Sequence, residues 1–437
     1  MYNGHRNAYT FFMRYTITKE RTHLFSPSIN IGVLVHILGD VETDALRQAI
    51  GTAVRHNGIL LTKIVVTDSG DAYYAPIDDV NCSVTVENAP WQDIIDREEK
   101  IRFKLEDGEF IRFFIMPQEH STGLLLYGHH LLGDGTSLAF LVQDIMRALD
   151  GETLTYKPLQ LFSMEDLPRE SRLPGLSRML ANHENRIWQK TGKAFSFTDF
   201  DRLFTSYWTT HKTVVRTARI NGERYTALIH YSQEQGITIN SIILTALIMS
   251  AGEPSDVGMA ASIRKPGYEG MGNFATGISI QYAYRNSKTF AENAKAVQRL
   301  VQKKLENPKK KYFLLQFMGS LTPTLIDAAF FSAYDGYENR TARQFQKLFG
   351  YDGNPKGISV TNLTRLPIRQ EYGCFRIDDF IFVPPLVTNA KRIIGVATLG
   401  DSMVLSLHVE DDAHTERQAQ FFAKAVSFME NLGTSTF

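Results

Sequence analysis

Cysteine is nearly absent from this chain, with only Cys82 and Cys374 among 437 residues. Two thiols so far apart give neither a disulfide framework nor the paired spacing of a zinc site. Each is expected to be a small buried or half-buried residue, in a protein of a reducing, cytoplasmic compartment. A surplus of charge is absent too, because 47 Lys and Arg balance 47 Asp and Glu. Nucleic-acid binders usually trade a basic surplus for phosphate contacts, so no nucleic-acid partner is expected. Long apolar runs are lacking: the most apolar window, SIILTALIMSAG at 241–252, falls well short of the roughly 20 residues that span a bilayer. No membrane span is therefore expected, and MYNGHRNAYTFFMRYTITKE has no apolar leader with a small-residue cleavage site. Short repeats, low-complexity tracts and coiled-coil heptads are missing as well.

A mixed α/β pattern runs the length of the chain. Ile29, Ile31, Val33, Val35 and Ile37 alternate as on a strand, and Leu46, Ile50 and Val54 then share one helix face. Hairpins are expected at 59–77 and 110–130, and a helix from Gly135. Pro, Gly and charge mix from 150 to about 210, which reads as a linker with one short helix. A second mixed unit follows. It has a strand at 213–220, a helix stopped by Gly236, and an apolar helix capped by Thr238. Its last elements are a hairpin turning at Gly400-Asp401 and an amphipathic helix at 415–432. The expected organisation is an N-terminal half at 1–150, a connecting segment at 151–210 and a C-terminal half at 211–437.

The chemistry concentrates at Tyr127-Gly128-His129-His130-Leu131-Leu132-Gly133-Asp134-Gly135-Thr136. A strand delivers two histidines to a glycine turn, and a helix starts immediately after it. Rigid elements on both sides can hold a reactive side chain, and the helix start offers free N–H groups. Three readings are open. A shared metal is the weakest, because adjacent strand residues point to opposite faces and no third ligand lies nearby. Two satisfied core histidines are the bland reading. The third makes one histidine a general base, with Asp134 fixing the turn; imidazole suits that role because it titrates near neutral pH.

His129-His130-x-x-x-Asp134-Gly135 resembles the HHxxxDG motif of the superfamily that contains nonribosomal peptide synthetase condensation domains. Chloramphenicol acetyltransferase-like, polyketide-associated and alcohol acyltransferases belong to the same superfamily. Other stretches resemble family segments in the family's order: LRQAIGTAVRHNGI at 46–59, Phe103 to Gly108 with Phe110-Ile111-Arg112, Gly272-Asn273-Phe274, and Val360-Thr361-Asn362-Leu363. The resemblance implies an α/β fold of α+β sandwich type, built as two chloramphenicol-acetyltransferase-like halves in a V-shaped pseudo-dimer with a tunnel between them. It implies a thioester-dependent acyltransferase in which His130 is the base that deprotonates an alcohol or amine acceptor. His129 would face away and support the loop, and Asp134 would pair with Arg264 of the second half. Gly135 would make the sharp turn, its N–H a weaker aid to an oxyanion. Thr361, with Asn362 beside it, would lend a hydroxyl to the tetrahedral intermediate or simply pack in its strand. No cofactor would be bound permanently; acyl-CoA or a phosphopantetheine thioester would be a co-substrate, so an acyl or peptidyl carrier protein is an expected partner.

Departures from the family pattern are visible. Asn57 and Gly58 stand where condensation domains carry a proline stretch. The plant branch's C-terminal signature is missing, and no adenylation or carrier segment is seen, so the donor is expected to arrive separately. Lys309, Lys310 and Lys311 are either a solvated helix end or a phosphate site for the pantetheine arm. Phe313, Leu314, Phe317, Phe330 and Phe331 are core or an acyl pocket, with core favoured. His408 either faces the tunnel or, as the simpler expectation, faces solvent. Two rival functions stay open: a free-standing condensation protein acting on carrier-bound substrates, and a non-catalytic member that binds a ligand or partner.

Overall fold

A computed structural model of the chain describes residues 15–351, 357–387, 390 and 392–433. The first half opens with β1 (Tyr15–Thr16), α1 (Arg21–Leu24), β2 (Asn30–Leu38) and α2 (Thr43–Arg55). It continues through β3 (Thr62–Val66), β4 (Ala72–Pro76), β5 (Asn81–Val86) and α3 (Trp91–Glu99) to β6 (Glu109–Pro117), β7 (Ser121–His129) and α4 (Gly135–Leu149). β6 and β7 form the expected hairpin, and β2 lies antiparallel on the other side of β7. Every residue of β7 after Ser121 is buried. A strand covered on both faces reads as a nearly continuous apolar run, and TGLLLYG does so. Its last ladder pair is His129 opposite Asn30.

The segment 151–210 is more than a linker, which corrects the sequence expectation. It folds into α5 (Gly175–Thr191) and α6 (Phe197–Thr210). Both are anchored by large apolar residues: Phe200, Leu203, Phe204 and Trp188 are buried in the first half's core. Ser196 and Asp199 form a capping box at the start of α6, a local signal that the Pro- and charge-rich lead-in obscures.

The second half contains β8 (Thr213–Asn221), α7 (Gly222–Gln235), α8 (Ile239–Ala251), β9 (Ser255–Ser262), β10 (Ala275–Tyr282) and α9 (Phe290–Leu305). Gly236 ends α7 at φ 63°, and the Thr238 hydroxyl accepts the Ser241 N–H at 3.2 Å to cap α8. Four helices follow: α10 (Pro308–Lys311), α11 (Phe313–Gly319), α12 (Pro323–Tyr334) and α13 (Arg340–Leu348). Last come β11 (Ile358–Arg365), β12 (Glu371–Tyr372), β13 (Phe375–Val383), β14 (Arg392–Leu399), β15 (Ser402–Glu410) and α14 (Thr415–Asn431).

Two six-stranded sheets organise these elements. Their strand orders are β12-β13-β2-β7-β6-β5 and β10-β9-β11-β14-β15-β8. The boundary at residue 211 therefore needs amending, because β12 and β13 leave the second half and pair with β2 of the first. Residues of α12 and α13, among them Phe330, Phe331 and Phe345, also belong to the first half's core. Phe331 stacks on Phe195 at 3.9 Å between centroids. Of the aromatic stretch, Phe317 is buried with them, while Phe313 and Leu314 are exposed.

This crossing explains a second correction. On β15, Leu405, Leu407 and Val409 face the core of the second half. The alternate residues Ser406 and His408 would face solvent on a one-sided sheet, yet they are 1% and 2% exposed. β13 and its continuation cover that face: Ser406 donates to the Phe382 carbonyl, and His408 Nδ1 lies 2.8 Å from the Pro384 carbonyl. His408 Nε2 lies 3.0 Å from Glu99 Oε1 of α3, whose carboxylate also accepts the Thr213 hydroxyl. Burial lowers the imidazole's pKa, but the Glu99 charge and the Pro384 carbonyl outweigh it and leave the pKa above the ordinary 6.5. Because the folded-state value is raised, this pair's stabilisation is complete below about pH 6.5 and lost as pH rises through the folded value. The urea midpoint is expected to fall across that window, and His408→Gln to flatten the slope; an unchanged slope contradicts the pairing. Cys374 also departs from expectation, being exposed, whereas Cys82 is partly buried.

Candidate active site

The site is assembled where β7 ends. After His129 the chain makes a short 3₁₀ turn, His130–Leu132, and Gly133 follows at φ 153°. A Cβ on Gly133 would lie 2.6 Å from the Ser137 Cβ, so both backbone angle and space require glycine. Asp134 then caps α4, with Oδ1 accepting from the Ser137 N–H at 2.8 Å and its hydroxyl at 2.9 Å.

The two histidines have different surroundings. His129 points into the first half, 4% exposed, where Nδ1 accepts the Leu131 N–H at 3.2 Å and Phe103 meets the ring edge-on. Burial pushes its pKa down to about 3, so it is a neutral structural ring. His130 is half-buried. Its Nδ1 is enclosed without a partner among the described residues. Burial lowers the His130 pKa; its own carbonyl and Asp134 pull upward, Lys19 pulls downward, and the net shift is down. His130 is therefore neutral at pH 7 and competent to accept a proton.

Asp134 serves the loop and the junction. Arg264 Nη2 lies 2.8 Å from its Oδ1, and the Phe274 N–H donates to Oδ2 at 2.9 Å. Arg264 also donates to the Ser137 hydroxyl at 2.7 Å and to the Gly270 carbonyl at 2.7 Å, with Phe274, Phe140 and Tyr268 around its guanidinium. The carboxylate's lone pairs are thus taken up by backbone and guanidinium groups, and Asp134 holds the turn against the Gly272–Phe274 segment of the second half. Ser137, which the motif did not flag, sits in the middle of this junction.

Gly135 is closely packed from both sides, since a Cβ there would lie 2.7 Å from Phe382 of β13 and 2.9 Å from Leu363 of β11 in the second half. Gly135→Ala is expected to cost about 1–3 kcal/mol through overpacking, read as a lower urea midpoint. Gly175→Ala, where a Cβ meets nothing within 4 Å, should cost less than about 0.5 kcal/mol. Equal effects at the two positions would sink the close-approach argument.

Thr361 and Asn362 on β11 face opposite ways. Val360 is in the second half's core, and Asn362 shares its face: its amide donates to Asn240 of α8 at 3.2 Å and its carbonyl accepts the Thr364 N–H at 2.8 Å. The assignment of Asn362 to substrate binding is corrected accordingly, because its side chain is used to hold a bulge in which Thr364 takes φ 61°. Thr361 lies on the other face, as does Leu363, which reaches the site's Gly135. Lys309 lines an open groove of about 680 Å³ with Arg299 and Lys303, where Glu170 and Glu306 offset much of the cationic charge. Lys310 is exposed, and Lys311 places its ammonium over the Tyr312 ring at 5.2 Å.

Two site residues had no sequence signal. His23, just before the end of α1, stacks on His130 with centroids 4.7 Å apart and planes at 28°. Lys19 is buried nearby, pairing with Glu20 at 2.7 Å and donating to the carbonyl of Asn273, the residue whose side-chain amide lies 3.5 Å from His23 Nδ1. The motif gives no reason to look at residues more than a hundred positions upstream, and only the fold brings them together.

Two covered sheets, with β12 and β13 carried across to the first, and a histidine turn latched by an Asp–Arg pair make up a fold shared with solved condensation domains. No family model matches the chain. A stretch of 125 residues is 30% identical to D-lysergyl-peptide-synthetase subunit 2 of Claviceps purpurea, covering 28% of this chain and 9% of the synthetase. The chain thus matches only a small part of that relative. The solved polyketide synthase associated protein 5 of Mycobacterium tuberculosis superposes with a TM-score of 0.62 at 13% identity, over 96% of this chain and 99% of that one. The starter condensation domain of rhizomide synthetase, solved with C8-CoA and Leu-SNAC, gives 0.62 at 12% identity, over 99% of this chain and 97% of that one.

Proposed function

We propose that the protein is an acyltransferase that moves an acyl group from a CoA or carrier-bound pantetheine thioester to an alcohol or amine, with His130 as the general base. One observation carries this reading: a neutral, half-buried imidazole is held at a strand end by a turn whose aspartate is wholly engaged in structure. Nε2 of His130 takes the acceptor's proton as its oxygen or nitrogen attacks the thioester carbonyl. The tetrahedral oxyanion then collapses, the C–S bond breaks, and the imidazolium returns the proton to the leaving thiolate. A thioester is already activated, so positioning and one base are sufficient. Thr361 is the candidate hydroxyl for the oxyanion. The V-shaped arrangement with a through-tunnel remains part of this proposal, as does a cytoplasmic setting.

A free-standing condensation protein that joins carrier-bound substrates is the second reading, favoured by the likeness to a stretch of a peptide synthetase. Both are tested by offering a panel of acyl-CoAs and acyl-carrier proteins with alcohol and amine acceptors and following thiol release. Faster turnover of the carrier-bound acyl group selects the second reading. Failure of every donor to release thiol in the presence of acceptor contradicts both and favours a ligand-binding member.

A further inference from the structure

We infer that Lys19 and His23 are positioning residues that hold His130 in its neutral, base-competent form, Lys19 by its charge and His23 by its ring. The inference rests on the reading of His130 as the base. Its geometry is independent of the motif, because both residues come from the segment around α1.

The His23 ring lies almost parallel to His130 and covers one face of it. A stacked aromatic plate restricts rotation of the His130 ring and keeps water from that face. His23 is itself held, with Nδ1 3.5 Å from the Asn273 side-chain amide. Burial, then the neighbouring His130, Lys19 and His129, drive the His23 pKa well below the ordinary value, so the plate is uncharged. Two imidazoles this close oppose each other's protonation.

Lys19 supplies the charge. Its ammonium is buried, fixed between the Asn273 carbonyl and Glu20, and acts on both rings. A cation in a low-dielectric site opposes the imidazolium more strongly than one in water. The other ionisable groups around His130 are Asp134 on its own turn, backed by Arg264, then Glu20, His129, and Tyr74 of β4, whose hydroxyl donates to the Leu131 carbonyl. After the ring's own backbone carbonyl, Asp134 is the charged group that favours protonation, and Arg264 binds it. The consequence is functional: the site stays active at pH values where an ordinary histidine would be half protonated.

The test reads His130 directly and needs no substrate. In protein labelled with ¹³C-histidine, the His130 resonance is assigned by its loss in His130→Ala and titrated in wild type, Lys19→Met, Lys19→Arg, His23→Ala and His23→Phe. Lys19→Met and His23→Ala should move the midpoint to higher pH, the first by removing the cation and the second by admitting water. Lys19→Arg and His23→Phe should leave it within experimental error of wild type. Unmoved midpoints in both Lys19→Met and His23→Ala overturn the inference. Once a donor is known, His23→Ala should lower kcat about ten-fold at pH 6 with KM unchanged, and His23→Phe should restore it to within about two-fold. Shifted midpoints with an unshifted pH–rate profile support the tuning and remove His130 from the role of base.

Discussion

Replacing His130 by alanine is expected to lower kcat by about 10²–10⁴-fold, the usual contribution of a positioned general base. Substrate binding should change little, because the ring's work is done as the acceptor loses its proton, and interactions realised only in the transition state appear in kcat. Stability should change little as well: His130 is half-buried and its enclosed Nδ1 makes no hydrogen bond among the described residues. His129→Ala provides the contrast. It removes a buried ring that accepts the Leu131 N–H and meets Phe103, so its first effect is on folding. Comparing kcat and urea midpoint for the two variants separates base from scaffold. A stable His130→Ala enzyme with wild-type kcat would remove His130 from the chemistry.

Arg264→Met is the second large effect, with an expected loss of about 3 kcal/mol in unfolding free energy. The ion pair with Asp134 is nearly closed off, at 9% and 13% side-chain exposure, so solvent screens it weakly. Removal also frees the Gly270 carbonyl and empties the space between Phe140, Phe274 and Tyr268. Asp134 keeps its three bonds from Ser137 and the Phe274 N–H, so the turn is loosened rather than released. Because the pair joins α4 to the loop before β10, the expected signature is lost stability together with a lower kcat at unchanged KM. Urea unfolding and steady-state kinetics on one preparation check both; a stable, fully active Arg264→Met shows the pair to be dispensable.

The turn at His130 was legible because it is local: strand, glycines, aspartate and helix start lie within nine residues, and each has a backbone reason to be there. The stop at Gly236, the Thr238 cap and the Gly400-Asp401 turn were legible for the same reason. What could not be read is non-local. α6 has a clear capping box, but the proline- and charge-rich stretch before it masks the onset of the helical segment. His408 sits at an outward position of β15, and nothing in LSLHVE announces that β13 crosses that face. Asn362 lay beside a candidate oxyanion residue in sequence, but strand alternation turns it to the opposite side. Lys19 and His23 became site residues only once α1 was seen to pack against the 3₁₀ turn. Patterns of period 2 and 3.6 reveal elements, whereas the covering of a second face depends on contacts between residues far apart in the chain.

The most direct measurement is the pH dependence of kcat/KM for acceptor-dependent thiol release from a thioester that the protein turns over. Since the active form of His130 is neutral and its pKa is lowered by burial, the rate should fall as pH drops through a single midpoint below the ordinary 6.5. That midpoint should match the titration of the His130 resonance, and the acid limb should vanish from the residual activity of His130→Gln. A flat profile across this range, or an acid limb that persists in His130→Gln, would contradict His130 as the base of an acyl transfer.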